Sequence, residues 1–169
     1  MSESLLQAKN IKTGYGEVQV LWDVSFSIEP GKISCIVGSN GAGKTTLFAL
    51  ASAQIHPTSG SVEILGERMG AVDVFELRPR IGIVGTYIST ALPDEEMVID
   101  VVLTGAYAIL GRWQEAYELW DESRAVALLT TMGVRDLAER KYFTLSDGEK
   151  KRVLIARSLM ANPELVLLD

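Results

Sequence analysis

The chain has 169 residues, 47% of them hydrophobic and 22% charged, with a formal charge of −6. That mix suits a soluble globular protein with a sizeable core, and an acidic balance without a clustered Lys/Arg face speaks against a nucleic-acid partner. The start Met1 to Gln7 lacks the basic then apolar pattern of a signal peptide, no apolar run approaches the roughly 20 residues of a membrane span, and the single Cys35 excludes an intrachain disulfide, so the chain is expected to be cytoplasmic.

No internal repeat is visible, and the pattern alternates strands and helices. Leu5 to Thr13 and Val20 to Ile28 read as strands, the second through the alternation Val24, Phe26, Ile28. Pro30-Gly31 makes a turn, and the short β-branched run Lys32 to Val37 predicts a buried strand in which Cys35 is an inert core thiol. Lys44 to Ala53 predicts a helix opened by a glycine loop. His56 reads as an exposed residue before the turn Pro57-Thr58-Ser59-Gly60, which leads into a strand from Ser61 to Leu65. Ile81 to Val84 is a further short strand.

From Pro93 to Leu137 the period becomes helical, with Val98, Val101 and Val102 on one face and Ala125, Leu128, Leu129 and Met132 on another. This block is a candidate subdomain, and Asp94-Glu95-Glu96 reads as a solvated helix start. Trp22, Trp113 and Trp120 read as packing or surface residues rather than a ligand box. Gly148 to Met160 predicts a helix stopped at Asn162-Pro163, followed by a buried strand, Leu165 to Leu168, that ends on Asp169. A central parallel strand needs neighbours and covering helices, so the expectation is a fragment of a longer domain.

Three motifs carry chemistry. Gly38-Ser39-Asn40-Gly41-Ala42-Gly43-Lys44-Thr45 has the spacing Gly-x-x-x-x-Gly-Lys-Thr between a predicted strand and a helix, the context a phosphate loop requires. Its glycines let several N–H groups converge on one anion at a helix start. Lys44 would reach outer phosphates, and Thr45 would offer its hydroxyl to Mg²⁺. The second motif is the apolar strand ending in Asp169, whose carboxylate would contact Mg²⁺ directly or through water. The third motif, Leu145-Ser146-Asp147-Gly148-Glu149, reads locally as a capping box, with Ser146 as N-cap and Glu149 reaching back. A capped helix start is also an anion site.

With GSNGAGKTT, LSDGE and LVLLD in this order, the sequence resembles ABC-type ATPases along essentially its whole length. The resemblance implies an α/β fold: a P-loop NTPase core with a parallel sheet, an N-terminal antiparallel β subdomain and an inserted α-helical subdomain, the C-terminal part of the domain being absent. The division it suggests is 1–91 for the β subdomain and Walker A core, 92–145 for the helical subdomain, and 146–169 for the signature helix and Walker B strand. ATP and Mg²⁺ are the implied cofactors. The loop residues Gly38, Ser39, Asn40, Gly41, Ala42, Gly43, Lys44, Thr45 and Thr46 would bind ATP, with Thr45 and Asp169 on the metal. In such proteins two domains sandwich ATP head to tail, so Leu145, Ser146, Asp147, Gly148 and Glu149 would face the nucleotide of a second copy, Ser146 and Gly148 touching its γ-phosphate.

Tyr15 matches the aromatic residue that stacks on adenine in this family; the alternative is a plain turn tyrosine. Two departures stand out. Thr86 occupies the position of the family's glutamine, and its side chain is shorter. The glutamate that normally follows the Walker B aspartate and the switch histidine both lie past Asp169, which predicts that the 169-residue chain binds nucleotide weakly and does not hydrolyse it, the full-length parent being the ATPase. Val98 to Tyr107 resembles the matching stretch of metal, haem and siderophore importer ATPases, which implies a homodimer docked on an integral-membrane permease at the inner face of the membrane. Two alternatives stay open: a soluble ABC ATPase acting on a macromolecule, and a fragment whose role is structural only.

Overall fold

The computed structural model describes residues 4–16, 18–112 and 116–169; Trp113 lies outside them. The chain divides into two compact units, Met1–Arg78 and Pro79–Asp169.

In the first unit, alternating apolar residues build a four-stranded antiparallel sheet in the order β2-β1-β3-β4, from β1 (Leu6–Tyr15), β2 (Val18–Ile28), β3 (Ser59–Ile64) and β4 (Glu67–Arg68). Leu6 and Ala8 are buried, and so are Ile11 and Thr13. The alternation is re-phased between these pairs by an irregularity at Asn10, whose φ is 49°. Its side chain donates to Asp23 Oδ1 at 2.9 Å and its backbone N–H to Ser25 Oγ at 2.8 Å, so polar groups replace the ladder bonds that the irregularity interrupts. Helix α1 (Lys44–Ala51) buries Thr46, Ala49 and Leu50, and a single turn, α2 (Val74–Leu77), is capped by Asp73.

One predicted strand does not form. Lys32 to Val37 runs without secondary structure and without a strand partner among the described residues. Ile33 is fully exposed and Val37 nearly so. Cys35, expected in the core, is an exposed free thiol. An apolar, β-branched run becomes a buried strand only where neighbours supply hydrogen bonds and cover its faces, and no described strand pairs with this one.

In the second unit, β5 (Ile81–Val84) and β6 (Leu165–Leu168) pair in parallel, Ile81 opposite Leu165 and Val84 opposite Leu168. Leu165 is buried, whereas Val166 and Leu168 are exposed, so β6 is covered less fully than the sequence pattern suggested. The helices are α3 (Thr86–Ala91), α4 (Val98–Leu103) running on into a 3-10 turn at Thr104–Tyr107, α5 (Leu119–Thr131) and α6 (Asp147–Ser158). The predicted helical stripes are the core: Val98, Val101 and Val102 of α4, and Ala125 and Leu129 of α5, pack with Val153, Leu154 and Ala156 of α6. Full burial of each large aliphatic side chain contributes about 1.5–3 kcal/mol. Asp94, Glu95 and Glu96 precede α4 rather than start it. Glu95 pairs with Lys141, and the Glu96 carboxylate accepts from the Arg112 N–H at 2.8 Å. Trp22 and Trp120 are both exposed. Among the described residues no helix is long and apolar enough to cross a membrane.

Candidate functional site

The glycine loop is shaped by two left-handed residues, Gly41 at φ 81° and Gly43 at φ 89°. Gly43 is also pressed against β2: a Cβ there would lie 2.7 Å from Leu21 Cδ2 and 3.2 Å from Val20 Cγ1. Only glycine meets both conditions. Gly43 is the N-cap of α1 and gives it no side-chain cap, and the first turn carries no acidic residue. The first intrahelical bond runs from Leu47 N–H to the Gly43 carbonyl at 2.9 Å, so the N–H groups of Lys44, Thr45 and Thr46 have no acceptor within the helix. A turn from Ala42 N–H to the Ser39 carbonyl tightens the loop ahead of them.

The Lys44 ammonium folds back on this loop, donating to the carbonyls of Gly38 at 2.8 Å and Ser39 at 2.7 Å. Thr45 is exposed, whereas the Thr46 side chain is buried, so Thr46 can address a ligand through its backbone N–H only. Tyr15 closes β1 opposite Val18 and is 56% exposed, its ring free to offer a stacking face. His56 is exposed, and its carbonyl accepts from the Thr13 hydroxyl.

In the second unit the parallel pair brings two expected residues to one edge. The Asp169 N–H donates to the Val84 carbonyl at 2.8 Å, which extends the β5–β6 ladder and sets Asp169 beside the Gly85-Thr86 exit of β5. The carboxyl ends of parallel strands are where α/β folds bind ligands. Thr86 is the first residue of α3, and its carbonyl accepts from the Ser89 and Thr90 hydroxyls.

At the other motif, Ser146 caps α6 and the predicted capping box is present. The Glu149 carboxylate accepts from Ser146 N–H at 2.8 Å and from Ser146 Oγ–H at 2.7 Å, while Glu149 N–H points back at Ser146 Oγ at 3.4 Å. The Ser146 hydroxyl first, and its backbone N–H second, hold the Glu149 carboxyl below its ordinary range. Leu145 is buried and anchors the motif, and Gly148 faces open space.

Helix α6 is held in place by contacts with residues distant in the chain. A Cβ at Gly105 would lie 2.3 Å from the Arg157 carbonyl, and one at Gly82 2.6 Å from the Ser158 carbonyl. Arg124 of α5 caps the far end of α6, donating to the carbonyls of Leu159 at 3.0 Å and Met160 at 2.9 Å. Arg157 is buried and donates to the Ile109 carbonyl at 2.7 Å; burial pushes its guanidinium down to about 10 and pushes the Tyr142 phenol up to about 12. An isolated glycine inside a helical stretch, as at Gly105, is the one local signal of such close packing.

The chemistry of the donors fits Mg²⁺. Thr45 in the first unit and Asp169 in the second each carry a hard oxygen of the kind Mg²⁺ takes, an ion that keeps several waters and needs only one or two protein ligands beside phosphate oxygens. Among the described residues no cluster of three or more His, Cys, Asp or Glu forms a dedicated metal cage.

Comparison with known proteins gives the family. The chain is 37% identical over 166 residues to the uncharacterized ABC transporter ATP-binding protein YlmA of Bacillus subtilis (strain 168), covering 98% of this chain and 62% of that protein. It is 33% identical to the manganese transport system ATP-binding protein MntB of the same organism, covering 97% and 63%. Among solved structures, a dimeric bacterial ABC transporter cassette superposes with a TM-score of 0.82 at 27% identity, covering 97% of this chain and 73% of that one. The chain thus spans under two thirds of the length of these curated relatives. The family model described as ABC transporter matches residues 21–169, and the chain belongs to that family.

Proposed function

We propose that the chain is the ATP-binding part of an ABC transporter subunit, which couples ATP binding and hydrolysis in a head-to-tail homodimer to transport through a membrane permease. The observation that carries this is the start of α1: a left-handed, uncapped glycine turn followed by three N–H groups without helical acceptors. Such a start binds a phosphate chain through backbone donors and the helix dipole. Lys44 would exchange the Gly38 and Ser39 carbonyls for the outer phosphates, a gain in charge complementarity at no cost in reach. Thr45 and Asp169 would hold Mg²⁺, which neutralises phosphate charge as it develops. Tyr15 would stack on the base, worth about 0.5–1.5 kcal/mol beyond buried area. Ser146 and Gly148 of a second copy would close the site over the γ-phosphate.

The likeness to a manganese transport system ATP-binding protein supports a transport role, with the helical segment 92–145 as the face offered to the permease and the subunit peripheral on the cytoplasmic side of the membrane. A second reading, a stand-alone ABC ATPase acting on a macromolecule, is favoured by one residue. Thr86 replaces the long glutamine amide and turns its carbonyl to Ser89 and Thr90, and transport coupling runs through that position in the family.

Titration calorimetry with ATP and Mg²⁺ tests the first step. The 169-residue chain is expected to bind weakly, and Lys44→Ala to weaken binding by about a further 100-fold, charge-assisted contact being lost. Equal affinity in the two proteins would sink the assignment. Recovery of the subunit with a membrane permease, against recovery from the soluble fraction alone, separates transporter from stand-alone ATPase.

A further inference from the structure

We infer that Glu149 is a resident anion that competes with the γ-phosphate for Ser146, and so sets the ATP concentration at which two copies close. This rests on the proposed head-to-tail reading, in which Ser146 meets the nucleotide held by the other copy. The Ser146 hydroxyl, the side-chain donor a phosphate oxygen would use, points at one oxygen of the Glu149 carboxylate at 2.7 Å, and the Ser146 N–H fixes that same oxygen at 2.8 Å. The carboxylate is fully charged at neutral pH, since those same donors lower its pKa. Asp147 adds a second acid in the first turn of the same helix. α6 therefore begins with its own negative charge where an incoming phosphate needs positive potential.

A phosphate oxygen that takes the Ser146 hydroxyl must displace Glu149 and then sit within a few ångströms of it, so closure works against like charge. A glutamine at this position keeps the capping box, because the motif accepts Glu or Gln at N3, and removes only the charge. The carboxylate thus acts as a threshold: weak or partly neutralised anions fail to displace it, and a fully charged terminal phosphate succeeds.

The test is ATP-driven self-association, followed by analytical ultracentrifugation over a range of ATP concentrations with Mg²⁺, for wild type and for Glu149→Gln, Ser146→Ala and Lys44→Ala. Glu149→Gln is expected to lower the half-saturating ATP concentration about tenfold and to make it less responsive to added NaCl, since screening relieves a repulsion that the variant lacks. Ser146→Ala and Lys44→Ala are expected to raise it. An unchanged or raised value in Glu149→Gln, with Ser146→Ala still weakening closure, overturns the role given to Glu149 and leaves the dimer reading intact. Failure of Ser146→Ala and Lys44→Ala to change association overturns the dimer reading, and the competition with it. An unchanged helical circular dichroism signal shows that Glu149→Gln retains α6.

Discussion

Helices α1 and α6 both begin at motifs expected to meet phosphate, yet their starts are built in opposite ways. α1 follows a left-handed glycine, has no side-chain cap and carries no acid in its first turn. α6 follows a serine that caps it, receives a returning glutamate and carries Asp147 and Glu149 in its first turn. The four unpaired N–H groups of a helix start can be met by a ligand or by the chain's own side chains. α1 gives its own none of these side-chain acceptors, whereas α6 meets two of them itself, at Ser146 and Glu149. On the proposed reading, that difference makes α1 the primary anion site and α6 a contact that closes conditionally.

The largest effect is expected from destroying the open start. Gly43→Ala puts a Cβ 2.7 Å from Leu21 Cδ2 at a residue with φ 89°, so the turn must shift and the N–H groups no longer converge. ATP affinity measured by calorimetry should fall about 100-fold while β1–β3 pairing, read by circular dichroism, persists. Retained affinity would mean that the left-handed turn is not what binds phosphate.

Next in size is the seating of α6. Gly105→Ala places a methyl 2.3 Å from the Arg157 carbonyl, backbone that cannot give way without moving α4 from α6. Overpacking of this kind costs about 1–3 kcal/mol, read as a lower urea midpoint. ATP affinity at α1 should be unaffected. A variant as stable as wild type would show that α4 and α6 slide easily, and that α6 is not the rigid element its close contacts describe.

Removing the cap of α6 is a smaller change. Ser146→Ala should cost about 1 kcal/mol in urea unfolding, the usual value of an N-cap hydroxyl, whereas no substitution at Gly43 can remove a side-chain cap that α1 lacks. Stability within error of wild type would say that Glu149 alone caps the helix.

These local contrasts were legible in the sequence because they are set by residues within four positions of each other. The glycine loop, the Ser146–Glu149 box and the edges of β5 and β6 all follow from spacing, hydrophobic period and turn chemistry. Lys32 to Val37 shows the limit. Its composition is that of a buried strand, but burial is a property of the neighbours, and Ile33 and Cys35 stand exposed because no described strand pairs with them. Asp94 to Glu96 failed for a related reason: whether an acidic run starts a helix or fastens to Lys141 and Arg112 depends on residues 16 to 46 positions away. Beyond the isolated glycine at Gly105, the seating of α6 left no local pattern, since Arg124 and Arg157 matter only through distant contacts.

The smallest expected effect is the pH response of the capping box. The Glu149 carboxyl is held below its ordinary value by the Ser146 hydroxyl, then by the Ser146 N–H. A carboxyl with a depressed folded pKa contributes stability that is present above the unfolded value, near 4.5, and lost as pH falls through the folded one. Urea midpoints of wild type and Glu149→Gln should therefore differ most at neutral pH and converge as pH falls below that value. Glu164, lowered by Arg80, responds equally in both proteins and cancels from the difference. Parallel profiles would mean that the carboxylate is not engaged by Ser146 in solution, in which case α6 starts as openly as α1 and nothing stands between Ser146 and a phosphate.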